Sequence, residues 1–128
     1  MARRIGHKLA TMCHVLLIED DWLLADHMMQ LLGAAGATSV VLADGEEAAV
    51  RAAAARRPAV IVSDVTLRQG YGPAAVVRIV GEATDVRVMF VTGEPAAGRP
   101  HDSRWPVLAK PVADDVFVAT FRSIAPIA

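Results

Sequence analysis

The 128-residue chain is 54% hydrophobic and 21% charged, with a formal net charge of −1, which fits one domain with a core of its own and excludes disorder. The near-neutral balance gives no basic field to recruit nucleic acid or an anionic membrane. The single cysteine, Cys13, excludes an internal disulfide, and no apolar stretch reaches the roughly 18 residues that a membrane span needs.

Residues 1–13 read as a loosely held arm whose Arg3, Arg4, His7 and Lys8 are solvated, followed by one folded domain over 14–128. The arm has no long apolar segment behind its basic residues, so a signal peptide is not expected and the cytoplasm is the default compartment. Val15-Leu16-Leu17-Ile18 is a continuous apolar run, short enough for a buried strand, and it ends in three carboxylates, Glu19-Asp20-Asp21. Like charges so close repel unless a cation or solvent compensates.

Trp22 to Ala35 reads as a helix, with Leu24, Met28, Leu31 and Ala35 on one face and Gly36 as its C-cap. Thr38 to Leu42 is a second β-branched run. Asp44 is placed to cap a following helix that carries Glu46 and Glu47 near its start and ends before Pro58. Ala59-Val60-Ile61-Val62-Ser63-Asp64 is the central strand, apolar on both faces and ending in an aspartate. A loop over 65–72 leads to a third helix from Pro73 to Ala83, and Val86 to Val91 is a fourth strand ending in Thr92-Gly93-Glu94. The Pro/Gly-rich segment from Pro95 to Pro106 has no helical period. Val107-Leu108-Ala109 is a short fifth strand running into Lys110-Pro111, and Asp114 is placed to cap a last helix, Val116 to Ile124. Strands alternating with helices imply a parallel sheet covered on both faces, with right-handed crossovers.

In such a sheet ligands collect beyond the carboxyl ends of the strands. Those ends carry Glu19, Asp20, Asp64, Thr92 and Lys110. A hard divalent cation takes oxygen ligands, and Mg²⁺ usually takes one or two carboxylates together with phosphate and water. A carboxylate can attack phosphorus and form an aspartyl phosphate, and a lysine ammonium with the metal can neutralise the phosphoryl oxygens. A threonine hydroxyl can donate to one of them. His7, His14, His27 and His101 share no ligand spacing and read as surface or helix residues. Trp22 either lines the acidic pocket or packs on the first helix, and Met28 and Met29 fit the helix's packing face and its flank.

The chain resembles the receiver domain of bacterial two-component response regulators over residues 14–125. The resemblance rests on Leu17-Ile18-Glu19-Asp20-Asp21, Val62-Ser63-Asp64, Phe90-Val91-Thr92-Gly93 and Ala109-Lys110-Pro111. It implies a flavodoxin-like fold with strand order 2-1-3-4-5 and a cis Lys110-Pro111 bond. It also implies roles: Asp64 as phosphoacceptor, Glu19, Asp20, Asp64 and the backbone carbonyl of Thr66 as Mg²⁺ ligands, Thr92 as switch hydroxyl and Lys110 as phosphate-binding lysine. Glu94 resembles a position that tunes hydrolysis, or is an exposed loop acid.

Three departures stand out. The fourth helix is expected to be short or absent because of the Pro/Gly-rich segment. Val107 stands where receivers usually carry an aromatic, and Trp105, two residues away, is expected to take the opposite role on that strand. Arg68 replaces a common proline after the phosphoacceptor. The Phe90 motif and the shortened segment resemble stand-alone receivers with a Phe-Ala-Thr-Gly motif, which are associated with histidine kinases of the HWE/HisKA2 type. The expectation is a single-domain response regulator and not an enzyme, apart from self-phosphorylation and autodephosphorylation. It would act through protein contact or as a phosphate sink, since no room is left for a DNA-binding domain after Ala128. Two other classes remain open: a receiver-like binding module that is never phosphorylated, and a phosphatase of the haloacid-dehalogenase type. The phosphatase is disfavoured because Thr66 stands where that family carries a second acid.

Overall fold

Four apolar runs with no polar alternation require a sheet covered on both faces, and the computed structural model, which describes residues 12–83, 85–93 and 105–127, has that layering. In chain order the elements are β1 (His14–Ile18), α1 (Trp22–Ala35), β2 (Ser39–Ala43), α2 (Glu46–Ala55), β3 (Val60–Asp64), α3 (Gly72–Val80), β4 (Arg87–Thr92), β5 (Val107–Ala109) and α4 (Asp114–Ile124). The five strands form one sheet in the order β2-β1-β3-β4-β5, every pair parallel. This is the flavodoxin-like order expected. The segment that bears on a fourth helix, most of the expected N-terminal arm, Glu94, His7 and His101 lie outside the described residues. Cys13, assigned to the arm, is fully buried.

Successive strand residues point to opposite faces, so each strand feeds two cores. Val15, Leu17, Val60, Val62, Met89 and Val91 pack with Met28, Leu32, Phe117 and Phe121 of α1 and α4. Leu16, Ile18, Ile61, Val88 and Phe90 pack with Ala49, Ala75, Val76 and Val80 of α2 and α3. Burying each of the larger side chains contributes about 1.5–3 kcal/mol. On α1 the fully buried stripe is Ala25, Met28, Leu32 and Ala35, with Leu24, Met29 and Leu31 half-buried on its flanks.

Two caps differ from expectation. Gly45, not Asp44, is the N-cap of α2, with no side-chain bond; the first amide of the helix, on Glu46, instead donates to the carbonyl of Gln69 at 3.0 Å. Ala113 is the N-cap of α4, and Asp114 already lies in the helix, its carboxylate hydrogen-bonded to His27 at 2.8 Å. His14, read as a surface or helix residue, instead opens β1, half-buried, its ring hydrogen-bonded to Ser39 at 2.7 Å. Trp105 also departs from its expected role. Trp105 lies just before β5 and, like Val107, packs on the α2/α3 side of the sheet, its ring centroid 5.9 Å from that of Phe90.

Candidate functional site: the carboxyl edge of the sheet

β1 is flanked by β2 on one side and β3 on the other, so the crossovers diverge there and open a crevice at the strand ends. Register decides what enters it. Ile18 pairs with Ser63, which sets Glu19 beside Asp64, and Thr92 pairs with Ala109, which sets Lys110 just beyond Thr92. The Lys110 amide donates to the carbonyl of Thr92 at 2.8 Å, and the expected cis Lys110-Pro111 bond is present.

Asp64 is only 8% exposed and Glu19 only 2%. Lys110 Nζ lies 2.9 Å from Asp64 Oδ2 and 3.5 Å from Glu19 Oε1. Burial disfavours the Lys110 charge, but its hydrogen bond to Asp64 and the nearby charge of Glu19 outweigh that and raise its pKa above the ordinary lysine value. Burial pushes the Glu19 carboxyl up, and the charges of Asp64 and Asp20 push the same way, against the Asp21 amide and Lys110. Thr92 is buried at the end of β4, and Gly93 next to it has open space where a Cβ would project.

The three acids after β1 divide their work. Asp21 is the N-cap of α1, its Oδ1 accepting from the amides of Leu23 and Leu24 at 3.1 and 3.2 Å. Its own amide donates to Glu19 Oε2 at 3.0 Å and fixes that side chain. Asp20 Oδ2 accepts from the Arg68 amide at 2.7 Å. Oxygens of Glu19, Asp20 and Asp64 all lie within 4.8 Å of one another. That all-oxygen set is what a hard divalent cation takes. Glu19 Oε1 is buried without a hydrogen-bond partner, its nearest cation being Lys110 at 3.5 Å, so the residues fit Mg²⁺. Among the described residues this is the one cluster of three such groups, and no histidine belongs to it. Trp22 lines a cavity of about 250 Å³ with Glu19, Asp20 and Asp44, yet is itself 81% exposed.

The family model for the response regulator receiver domain matches residues 15–120. This chain belongs to that family. Among solved structures, the receiver is similar to the PhyR response regulator REC domain of Erythrobacter litoralis: 26% identity, 88% of this chain, 89% of that one and a TM-score of 0.75. A variant of the anti-anti-sigma factor PhyR of Bartonella quintana matches at 25% identity over 94% of this chain, with a TM-score of 0.75. The receiver spans about half of that protein, 51% of its length. The signal receiver domain of an HD domain-containing protein of Pseudomonas fluorescens shares the fold, with a TM-score of 0.77 at 21% identity over 88% of this chain and 94% of that one. Comparison with the curated proteins returns no significant match.

The sequence missed three supports of the site. The Ser63 hydroxyl donates to the Asp64 carbonyl at 2.8 Å. The Gly72 amide donates to the Val65 carbonyl at 2.8 Å, and a Cβ on Gly72 would sit 1.9 Å from the Asp64 carbonyl oxygen. The Arg68 amide orients Asp20 from across the crevice. Only the glycine carried a signal, as a residue at a helix start beside the strand end.

Proposed function

We propose that this receiver accepts a phosphoryl group on Asp64 from the phosphohistidine of a sensor histidine kinase, in a Mg²⁺-dependent transfer. The observation that carries the reading is the convergence of Glu19, Asp20, Asp64 and Lys110 at one crevice of a receiver fold. An Asp64 carboxylate oxygen attacks phosphorus in line; the new O–P bond forms as the P–N bond breaks, and its electron pair leaves on the imidazole. Glu19, Asp20, Asp64 and the Thr66 carbonyl would hold Mg²⁺, which when bound supplies positive charge against the phosphoryl oxygens. Lys110 holds the Asp64 carboxylate by its hydrogen bond and adds a second positive charge. Thr92, buried beside Gly93, offers the hydroxyl that responds to the phosphoryl group.

The kinase is proposed to be of the HWE/HisKA2 type, supported by the Phe90-Val91-Thr92-Gly93 run. Exposed Trp22 and Leu23 at the start of α1, 81% and 86% accessible, supply apolar surface beside the acidic edge for that partner. Output is proposed to run through contact with a further protein, or by draining phosphate from a shared kinase, in the cytoplasm. Among the described residues no helix is long and apolar enough to cross a membrane.

Incubation with Mg²⁺ and acetyl phosphate, read by intact mass, tests the assignment. A single phosphoryl adduct is expected on the wild type and none on Asp64→Asn. An adduct that persists in Asp64→Asn, or is absent from both, refutes it.

A further inference from the structure

The loop after Asp64 reaches the crevice at Arg68, whose amide bonds Asp20, but its far end is tied elsewhere. Glu46, in the first turn of α2, receives it from three directions. Its amide donates to the Gln69 carbonyl at 3.0 Å, and its Oε1 accepts from the Tyr71 amide at 3.2 Å. Gly70 lies between these two bonds with φ +110, and a Cβ there would come 2.4 Å from the Glu46 Cβ, so the loop is pressed against the glutamate. The Glu46 Oε2 accepts from Arg78 Nη1 of α3 at 3.0 Å, and Arg78 also bonds Glu47 at 2.6 Å. The Glu46 side chain is only 21% exposed. An antiparallel bridge between Thr66 and Tyr71 closes the other side of the turn. The path from Glu46 to the acids is therefore short: Tyr71 pairs with Thr66, and Arg68 of the same turn donates to Asp20.

We propose that Glu46 is a positioning residue for the phosphoacceptor crevice: clamping the 69–71 turn to α2 and α3 sets the Thr66 carbonyl and the Arg68 amide against Asp64 and Asp20. It touches neither metal nor phosphate. Groups hydrogen-bonded directly to metal ligands typically carry 10–100-fold of metal affinity, and Glu46, one bond further out, is expected at the low end of that range. The inference rests on the Mg²⁺ reading of the crevice, and the experiment separates the two.

Mg²⁺ is titrated calorimetrically into the full chain, wild type and variants, and each metal-free protein is melted and its amide exchange measured. Asp20→Ala controls for the site: a wild type that binds no Mg²⁺, or an Asp20→Ala that binds as tightly as wild type, refutes the metal reading. If the site is real, Glu46→Ala weakens Mg²⁺ about tenfold and speeds exchange at the Tyr71 and Arg68 amides. Glu46→Gln, which keeps an acceptor for the Tyr71 amide, restores most of the affinity, and Glu47→Ala, on the outer side of Arg78, leaves it unchanged. Glu46→Ala with wild-type affinity, or Glu46→Gln no better than a folded Glu46→Ala, overturns the positioning role. Should Glu46→Ala not fold, Arg78→Met takes its place: a measurable loss of Mg²⁺ affinity supports the clamp, and an unchanged one overturns it.

Discussion

Glu19 is held in the fold at the expense of stability, and Glu19→Gln should release that expense when no divalent cation is present. Its Oε1 lies 3.5 Å from Lys110 Nζ and within 4.8 Å of oxygens of Asp64 and Asp20. At an effective dielectric near 20, the Lys110 attraction is about 5 kcal/mol, the Asp64 repulsion about 3.5 kcal/mol, and the half-exposed Asp20 adds roughly 1 kcal/mol. These nearly cancel. What remains is burial of a carboxylate, of order several kcal/mol, offset by about 1.5–3 kcal/mol from the Asp21 amide. The balance is a net cost of about 1–2 kcal/mol, and glutamine, of the same shape, avoids it while still accepting from that amide. At this chain length each kcal/mol moves the melting temperature by about 3 °C, so Glu19→Gln in EDTA should melt about 3–6 °C above wild type. On the proposed Mg²⁺ reading the order reverses as Mg²⁺ is added, because wild type gains about 2.7 kcal/mol at one hundred times its dissociation constant and the variant lacks the Glu19 carboxylate. Circular-dichroism melts across a Mg²⁺ series read both effects. A variant less stable than wild type in EDTA, or stabilised equally by Mg²⁺, would refute the reasoning.

A matched pair of glycine substitutions tests the packing behind Asp64. Gly72→Ala places a Cβ 1.9 Å from the Asp64 carbonyl oxygen and should cost about 3 kcal/mol or more, whereas Gly33→Ala, with open space on α1, should gain about 0.5–1 kcal/mol. Equal melting temperatures for the two would contradict the close backbone approach at Gly72. The pH profile of stability carries two signatures. Folding raises the Glu19 pKa above 4.5, so the folded state binds the extra proton and stability falls as pH climbs from about 4.5 to that raised value. Folding also raises Lys110 above 10.5; its contribution is complete below 10.5 and is lost as pH rises through the folded value. Urea titrations should show the acidic-side fall flattened in Glu19→Gln and the alkaline loss flattened in Lys110→Met, and unchanged profiles would count against these linkages.

The five strands, their order and the four strand-end groups were legible because each rests on a local pattern: an apolar run followed by a polar residue. A run buried on both faces announces a covered parallel sheet, and the edge of such a sheet tells where to look. The caps were not legible in the same way. Asp44 and Asp114 both have the residue type that caps helices, but tertiary partners displaced them: Gln69 took the first amide of α2, and His27 took the Asp114 carboxylate. The bonds of the Arg68 amide to Asp20 and of Glu46 to the 69–71 turn join groups that only the folded chain brings near, so no spacing in the sequence marks them. Trp105 departs from expectation because, just before β5, it packs against Phe90 on the same side of the sheet as Val107.

The two-faced sheet has a consequence for how the chain finds its register. In a sheet with one wet face, a one-residue slip turns every apolar side chain to water and is strongly penalised. Here both faces of β1 and β3 meet apolar helices, so a slip would exchange one oily environment for another. It would, however, carry Glu19 away from Asp64 and Lys110 by about 3.3 Å and leave buried charges without their neighbours. The polar strand ends thus also act as the alignment marks of the strands.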